Sequence, residues 1–362
     1  MRLFQNSGVH SSYLERLNQL SPRDSGFAAR RRQLLDDRFG ALHFLKPVLD
    51  GDCEAFFTNG DDRILQQAWA REHGVRGGNL ADILLAQIED HRTEIFYNTD
   101  PTRYDSSFVR RLPGCVRKTI CWRAIPSDSV DLSAYGMVVC NFDSILECWR
   151  RKGCKVGYFF PAVDPEMGAY GSSERTIDIL FVGSYSRHHL SRATVLESVA
   201  ALGRDRNVVY SLDTSRMTRL AETIPGGFIP QLRKLRRPKA IKDIARTPTF
   251  GRDLYRLIGD AKIVLNGAID IAGNDRGNMR CFEAMGCGAL LLSDDGIYPE
   301  GMKDGDTMFI YKSPDQAAEL ALQILSKKID GNIVAARGRK MVGDRYNKNL
   351  QWERFVEIIS LI

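Results

Sequence analysis

The sequence has 362 residues, of which 43% are hydrophobic and 27% charged, a composition that excludes wholesale disorder. A prior of about 150 residues per domain predicts two domains. Lys and Arg number 51 against 45 Asp and Glu, and the net charge of +6 suits an anionic substrate but falls short of a dedicated nucleic-acid-binding protein.

Neither a membrane span nor a secretory signal is predicted. The longest apolar runs, such as residues 289–292, are far shorter than the ~20 residues that a membrane helix needs. Residues 1–6 contain no apolar signal core. The eight cysteines form no Cys-x-x-Cys pair, so we interpret them as small buried thiols in a reducing compartment. We therefore expect a cytoplasmic protein.

Short apolar runs alternate with helical patterns in the first half, which predicts parallel α/β architecture. Asp61 is predicted to cap a helix over 62–73 that stops at Gly74. Asn79, with Asp82 three residues later, resembles a capping box that opens the next helix. The predicted strands lie at 41–45, 94–97, 118–122, 137–140 and 156–160.

Two prolines within residues 159–165 interrupt this alternation, and the small polar residues 167–174 predict a linker. Beyond them the α/β pattern resumes, and the chain from Pro314 onward predicts successive helices, the last over 350–362. Two α/β halves joined near residue 165 predict a ligand cleft between them, lined by residues that follow the strands. The predicted strands of the second half lie at 177–182, 207–212, 261–266, 288–293 and 307–311.

The turn at Gly183 and Ser184 is one candidate binding element. It follows a predicted strand and precedes a helix from about residue 190, where backbone N–H groups and the helix end suit a phosphate or a sugar. Arg187, His188 and His189 would add positive charge. A glycine after a strand is also typical of a turn with no ligand.

The stretch from 275 to 292 is more informative, because residues 282–285 predict a short helix that two glycines end. On that helix Glu283 can accept both hydroxyls of a ribose, and Arg280 can pair with a diphosphate. A solvent-facing Arg and a helix-favouring Glu explain the spacing equally well.

Four segments resemble the donor half of group 1 glycosyltransferases, most closely the branch similar to the spore-maturation protein CgeB. They are FVGS at 181–184, RCFEAMGCGALLLSD at 280–294, YPEGMKDGD at 298–306 and PAVD at 161–164. The resemblance implies a GT-B fold of two Rossmann-like doubly wound α/β domains that face each other across a cleft. It implies an acceptor-binding domain at 1–165, a nucleotide-sugar-binding domain at 166–345, and a helix at 346–362 packing back towards the first domain.

The resemblance also implies roles for individual residues. Many retaining members carry two glutamates eight positions apart; Glu283 matches the second, on the ribose, and Asp275 stands at the first, near the donor sugar. Basic side chains hold the diphosphate, with Arg280 the first candidate and Arg252 the second. The expected activity is retaining transfer from a nucleoside-diphosphate sugar to a glycan, a lipid-linked acceptor or a small molecule, with no other cofactor.

Asp304 and Asp306 form an Asp-x-Asp pair, a pattern that binds the metal of a nucleotide diphosphate in the other large glycosyltransferase fold. Here it matches a polar turn that the resembling family carries before a strand, and Asp-Gly is itself a strong turn signal. We therefore predict a turn and metal-independent chemistry, with Arg side chains and helix dipoles supplying the electrostatics.

Strand-end positions in the first half supply candidates for the acceptor side, namely 98–100, 122–123 and 141–143, with the glycine-containing loop 7–10 as a weaker one. An inverting enzyme needs a general base there, and Asp100 is the leading candidate because it directly follows a strand. The alternative is that Asp100 only begins an Asp-Pro turn.

Residues 233–246 carry seven positive side chains, and only Asp243 opposes them. Such a run is typical of a solvated face. The alternative is contact with an anionic glycan, or with anionic lipid at the inner face of the membrane. Two other functions stay open from the sequence: a nucleotide-sugar epimerase on the same fold, and a non-catalytic module that binds polyanions or membranes.

Overall fold

The structure, a computed structural model, describes the chain except for residues 23, 77, 172–173, 187–188 and 269–272. The chain forms two compact units, the first made of Met1–Ala162 with Lys348–Ile362 and the second of Val163–Asn347. Among the described residues each unit contains a six-stranded sheet, and every paired strand is parallel. Helices accompany both sheets, so the predicted α/β class is confirmed.

The first sheet has the strand order β2-β1-β3-β4-β5-β6. The strands predicted from residues 94, 118, 137 and 156 onward are confirmed, whereas the one predicted at 41–45 is wrong. There Ala41–His43 form a short 3-10 helix, and the apolar residues around it are buried without pairing. The observed strands are β1 Leu3–Ser7, β2 Ala55–Asn59, β3 Ile95–Asn98, β4 Lys118–Trp122, β5 Met137–Cys140 and β6 Val156–Tyr158.

Helix ends in the first unit follow the predicted signals with one correction. Asp62, not Asp61, caps the helix Arg63–Glu72 by accepting a hydrogen bond from the Ile64 N–H at 3.1 Å. Gly74 follows with a φ of 68°, and Asn79 caps the next helix as predicted. The helices are α1 Ser11–Leu20, α2 Phe27–Asp37, α3 Lys46–Asp50, α4 Arg63–Glu72, α5 Leu80–Asp90, α6 Ser106–Val109 and α7 Asp143–Arg151.

The second sheet has the order β12-β11-β10-β7-β8-β9. All five strands predicted for this half are confirmed, and the two-residue strand β9 was not predicted. Its strands are β7 Ile177–Gly183, β8 Val208–Leu212, β9 Ala245–Arg246, β10 Ala261–Leu265, β11 Leu290–Asp294 and β12 Phe309–Tyr311.

Helices occupy the connections of the second sheet and the C-terminal segment. None of the helices in the described part of the chain has the length and apolar character that crossing a membrane requires. They are α8 Leu190–Ala200, α9 Arg216–Ala221, α10 Ile224–Gly227, α11 Pro230–Arg233, α12 Lys239–Ile244, α13 Gly251–Gly259, α14 Met279–Gly286, α15 Pro314–Leu325, α16 Gly331–Arg345 and α17 Lys348–Ser360.

Helix α17 belongs to the first unit. Phe355 and Ile358 are fully buried in a core cluster with Leu3 and Tyr97. Lys348, at the start of the helix, is also buried, and its Nζ donates to the carbonyl oxygens of Ala41, Leu42 and Phe44 at 2.7, 3.0 and 2.8 Å. The end of the chain therefore completes the core of the unit in which the chain begins.

Each sheet has one point where the strand order changes direction, between β1 and β3 in the first and between β7 and β10 in the second. In open parallel sheets, ligands bind outside the carboxyl ends of the strands at such a switch point. The fold therefore directs attention to the residues after β1 and β3 and to those after β7 and β10.

Candidate active site

At the switch point of the second sheet, Ser184 follows β7 and Gly267 follows β10. The Ser184 hydroxyl accepts a hydrogen bond from Nη2 of Arg192, in the first turn of α8, at 3.5 Å. A Cβ added to Gly267 would lie 3.3 Å from Cγ of the same Arg192 side chain. Arg192 therefore lies beside the ends of both central strands, where an anion would bind. Arg192 was not predicted: the basic candidates at this turn were Arg187 and His188, which lie outside the described residues, and His189, which immediately precedes α8.

Asn266, the residue before Gly267, connects the strand ends to helix α14. Its Nδ2 donates to Ser293 Oγ at 3.0 Å, and its Oδ1 accepts from Asn278 Nδ2 at 3.2 Å. Asn278 in turn caps α14 by accepting from the Arg280 N–H at 3.0 Å. The N-terminus of α14 is thereby held at the carboxyl edge of the sheet, and a helix N-terminus favours a negatively charged ligand.

Glu283 and Arg280 lie on α14 and form an ion pair, in which Nη1 of Arg280 donates to Oε2 of Glu283. Glu283 is buried, with 7% of its surface exposed. Burial raises the pKa of the Glu283 carboxyl, and the Arg280 guanidinium opposes that shift by charge and hydrogen bonding. The two residues predicted to bind ribose and diphosphate therefore also bind each other. A carboxylate that accepts Arg280 on Oε2 still has a second oxygen for a hydroxyl.

Asp275 is buried in the loop that precedes α14. This loop is held against residues 294–297: the Arg276 N–H donates to the Ile297 carbonyl at 2.7 Å, and Ile297 donates back to Asn274 at 2.7 Å. Arg276 Nε also lies 2.7 Å from Asp294 Oδ2. The loop that carries Asp275 is therefore tied to the chain that follows β11, and the role predicted for Asp275 stays a prediction.

Arg252 lies on α13 and makes a two-pronged ion pair with Glu166, at 2.9 Å from Nε to Oε2 and 2.8 Å from Nη2 to Oε1. Both prongs of its guanidinium thus face a carboxylate of the same unit. Its predicted contact with the diphosphate stays a prediction, and the ion pair would compete with it.

Asp304 and Asp306 lie in the predicted turn, around Gly305 with a φ of 69°. Asp304 Oδ1 accepts from the Ile310 N–H at 2.8 Å, and Asp306 pairs with Arg337 at 3.2 Å. Within the described residues, no three His, Cys, Asp or Glu side chains are grouped to hold a metal ion. Five of the eight free cysteines are buried, as predicted, whereas Cys53 is exposed and Cys115 and Cys148 are partly exposed.

The switch point of the first sheet brings two carboxylates together. Asp61, after β2, accepts from the Val9 N–H at 2.9 and 3.1 Å, and Asp100, after β3, lies 3.2 Å from Nε of Arg103. Arg103 Nη2 also reaches Asp61 at 3.7 Å. A Cβ added to Gly8 would lie 3.1 Å from Cγ of Asp100, so this position requires a glycine or a shift.

Burial, with the charge of Asp100 as the next cause, raises the pKa of the Asp61 carboxyl from 3.8 to about 6. A carboxyl with a pKa near neutrality is suited to proton transfer. Asp61 was predicted only as a helix cap, because the strand that precedes it, β2, was not predicted. The acceptor-side candidate is therefore the pair of Asp61 and Asp100.

Comparison with known proteins gives one family match. Residues 211–357 match the family model described as glycosyl transferase-like, and no curated protein matches the chain. The matched range includes Arg252, Asp275, Arg280 and Glu283.

Three solved structures of similar fold cover nearly the whole chain. HepE from Anabaena, in complex with UDP and glucose, is 12% identical with a TM-score of 0.60 over 100% of both chains. A glycosyltransferase from Rickettsia africae is 12% identical with a TM-score of 0.55 over 99% of this chain and 97% of that one. Sucrose-phosphate synthase from Thermosynechococcus elongatus is 9% identical with a TM-score of 0.53 over 99% and 98%. The predicted GT-B fold is confirmed by these structures.

Because Arg280 and Glu283 form an ion pair on α14, we predict that removing Arg280 lowers the free energy of unfolding by an amount that depends on pH. Arg280→Ala leaves a buried carboxylate without its partner, so we expect the free energy of unfolding at pH 7.5 to fall by about 3 kcal/mol. Because the folded-state pKa of Glu283 is raised, its contribution to stability is present at low pH and is lost as the pH rises through that pKa. The loss in Arg280→Ala should therefore be much smaller at pH 4.5.

Urea unfolding at the two pH values measures the difference. Arg345→Ala is the matched control, since Arg345 also pairs with a glutamate of the second unit but is exposed. We expect that control to lose less than about 1 kcal/mol at either pH. An equal loss for Arg280→Ala at pH 4.5 and 7.5 would contradict the assigned coupling.

The raised pKa of Asp61 makes a second prediction. The protonated form is favoured in the folded state, so this group's contribution to stability is complete below pH 3.8 and disappears as the pH rises through about 6. Asp61→Asn should flatten the decline in unfolding free energy across that window and stabilise the protein at pH 7.5, by at most about 3 kcal/mol. Asp36→Asn, at an exposed position of the same unit, should leave the pH dependence unchanged. Parallel pH profiles for Asp61→Asn and the parent would refute the shift.

Proposed function

We propose that the protein transfers a hexose from a UDP-sugar to a glycan or lipid-linked acceptor, with retention at the anomeric carbon and without a metal ion. The observation that carries the proposal is the buried Glu283 carboxylate on a helix whose N-terminus is fixed at the switch point of the second sheet. A carboxylate in that position can accept both hydroxyls of a ribose. The choice of UDP is supported by HepE, a structure of similar fold described in complex with UDP and with UDP-glucose.

In the proposed complex the diphosphate lies at the N-terminus of α14, near Arg280. The same edge of the sheet carries Arg192 beside Ser184, which provides a second guanidinium for the phosphate oxygens. Arginine is well suited to this contact because its planar fork can bind two oxygens at once. The turn at Gly183 and Ser184 then lies beside the sugar that is transferred. Asp275 accepts a hydrogen bond from one hydroxyl of that sugar.

During the reaction negative charge develops on the leaving group, UDP. The bond between the anomeric carbon and the diphosphate oxygen breaks, and UDP departs with the electron pair. The acceptor oxygen bonds to the anomeric carbon on the same face, and its proton passes to the departing diphosphate oxygen. Arg280, Arg192 and the helix end stabilise the negative charge that develops on UDP.

One observation favours an inverting reaction as the second candidate. An inverting transfer needs a protein base for the acceptor hydroxyl. The pair of Asp61 and Asp100 supplies one in the first unit, where Asp61 has a pKa of about 6. The two candidates differ in the anomeric configuration of the product and therefore in a property that can be measured directly.

Loss of the Glu283 charge should weaken donor binding. Charge-assisted hydrogen bonds contribute roughly 1.5–3 kcal/mol each, so Glu283→Gln should raise the Kd for UDP and UDP-glucose about tenfold or more. Isothermal titration calorimetry measures the change. Glu319→Gln, an exposed glutamate on α15 of the same unit, is the matched control and should bind like the parent. Unchanged affinity in Glu283→Gln would show that the donor site lies elsewhere.

Transfer should survive removal of divalent ions. We expect protein treated with EDTA, and the double variant Asp304→Asn with Asp306→Asn, to keep near-parental activity, because both carboxylates stabilise a turn. The anomeric configuration of the product, read by NMR, should match that of the donor. Activity abolished by EDTA and restored by Mg²⁺ or Mn²⁺ would refute metal independence, and an inverted product would favour the base in the first unit.

A further inference from the structure

The connection between β8 and β9 exposes an unusual concentration of large apolar side chains. It contains the short helices α9, α10 and α11, which pack on one another. Ile224 and Phe228 are 83% and 80% exposed, and three more apolar residues are exposed nearby: Met217, Leu220 and Ile229. Single exposed apolar residues need no explanation, but a cluster of this kind marks an interaction surface.

Specific contacts hold these helices in place. Glu222 accepts hydrogen bonds from Arg237 at its N–H, Nε and Nη2, at 3.0, 2.9 and 2.7 Å. Ala221 and Leu232 are buried beneath the surface, and Ile241 joins the main core of the second unit. The exposed apolar side chains therefore lie on helices that are held in place by hydrogen bonds and by buried residues.

The same segment carries the whole net charge of the protein. Residues 213–246 contain nine Lys and Arg and three Asp and Glu, which leaves 42 residues of each sign in the rest of the chain. The net +6 is thus confined to this segment, while the other 328 residues are neutral as a set. Charge and apolar exposure coincide at one place.

The structure also shows which basic residues are already paired. Arg237 and Lys242 face Glu222, and Lys239 pairs with Asp243. Arg237 is mostly buried, whereas Lys239 and Asp243 are exposed and pair with each other on the surface. The basic side chains that flank the exposed apolar cluster are Arg216, Arg219, Arg233, Lys234 and Arg236.

We propose that this apolar-basic surface, residues 216–236, docks the protein on an anionic lipid bilayer. Ile224 and Phe228 would enter the boundary between headgroups and acyl chains, and the flanking Arg and Lys would lie among the anionic headgroups. Apolar burial and attraction to anionic lipid are the two terms that drive such interfacial binding. An acidic polymer would satisfy the charges but would leave the apolar cluster in water, so the bilayer is the partner that accounts for both.

The surface has a defined place in the fold. The connection leaves β8 at its carboxyl end, the edge of the sheet that also carries Ser184 and the N-terminus of α14. Docking would therefore bring this edge of the second sheet, where the proposed function places the sugar donor, towards the bilayer. Within the proposed function this placement favours a lipid-linked acceptor. The docking itself depends only on the surface and can be tested without any sugar.

Co-sedimentation with vesicles of phosphatidylcholine alone and of phosphatidylcholine with 30% phosphatidylglycerol, as an anionic lipid, tests the proposal. The full chain should bind the anionic vesicles, and the binding should weaken with salt, since the Debye length falls from ~10 Å at 0.1 M to ~3 Å at 1 M. Ile224→Ser with Phe228→Ser should lower the partition coefficient about tenfold or more. Arg216→Gln with Arg233→Gln and Lys234→Gln should lower it by roughly 100-fold.

Two control variants match these changes elsewhere on the protein. Leu361→Ser removes an apolar side chain that is 66% exposed, and Arg63→Gln with Arg71→Gln and Arg76→Gln removes the same charge from the exposed surface of the first unit. Both should bind like the parent, and UDP affinity should be unchanged in all four variants.

Three outcomes would overturn the proposal. The first is no binding to anionic vesicles at low salt. The second is binding that is indifferent to Ile224 and Phe228, which would indicate a general polyanion contact. The third is self-association in sedimentation velocity that Phe228→Ser abolishes without vesicle binding, which would make the surface a contact between two copies.

Discussion

A single buried charge organises the donor half of the molecule. Burial opposes the ionisation of Glu283, and the neighbouring Arg280 offsets part of that effect by charge and hydrogen bonding. Their position depends on Asn278, which caps the helix, and on Asn266, which ties the cap to the end of β10. Tyr311 supports Asn266 from β12, donating to its carbonyl at 2.7 Å. Residues set in this way by strands and a capped helix hold a ligand more exactly than residues on a long loop.

Several strands could be predicted from their apolar residues, because both faces of a parallel sheet are buried. Residues 118–122 and 137–140 were predicted with their observed bounds. The strand Leu3–Ser7 escaped prediction because it contains buried polar residues that bond inside the fold. Gln5 donates to the His43 carbonyl at 2.9 Å, and Asn6 donates to Asn98 Oδ1 at 2.9 Å. Buried side chains that form hydrogen bonds, such as Gln5 and Asn6, interrupt the apolar run from which a buried strand is predicted.

The residues of the candidate site also differ in how well the sequence predicts them, because some have partners nearby in the sequence and others have distant ones. Glu283 and Arg280 lie three positions apart on one helix, so a local motif was enough to find both. Asp61, Asp100 and Val9 meet only because three strands lie side by side, and no spacing in the sequence reports that meeting. Arg252 is a second example, because its ion-pair partner Glu166 lies 86 positions earlier in the sequence, where no local motif reports the pair. Long-range proximity is what the sequence alone leaves out.

The end of the chain places a further constraint on how the two units form. Lys348 is a buried cation whose Nζ is bonded to three backbone carbonyls, which offsets the large cost of removing an ammonium group from water. Burial and the charge of Lys348 lower the pKa of the adjacent His43 to about 3, so the imidazole stays neutral beside the ammonium group. Phe355 and Ile358 then complete the same core. Since residues 348–362 follow the second unit in the sequence, the second unit is fully synthesised while the first still lacks part of its core. The candidate carboxylates Asp61 and Asp100 therefore belong to a unit whose core draws on residues from both sides of the second unit in the sequence.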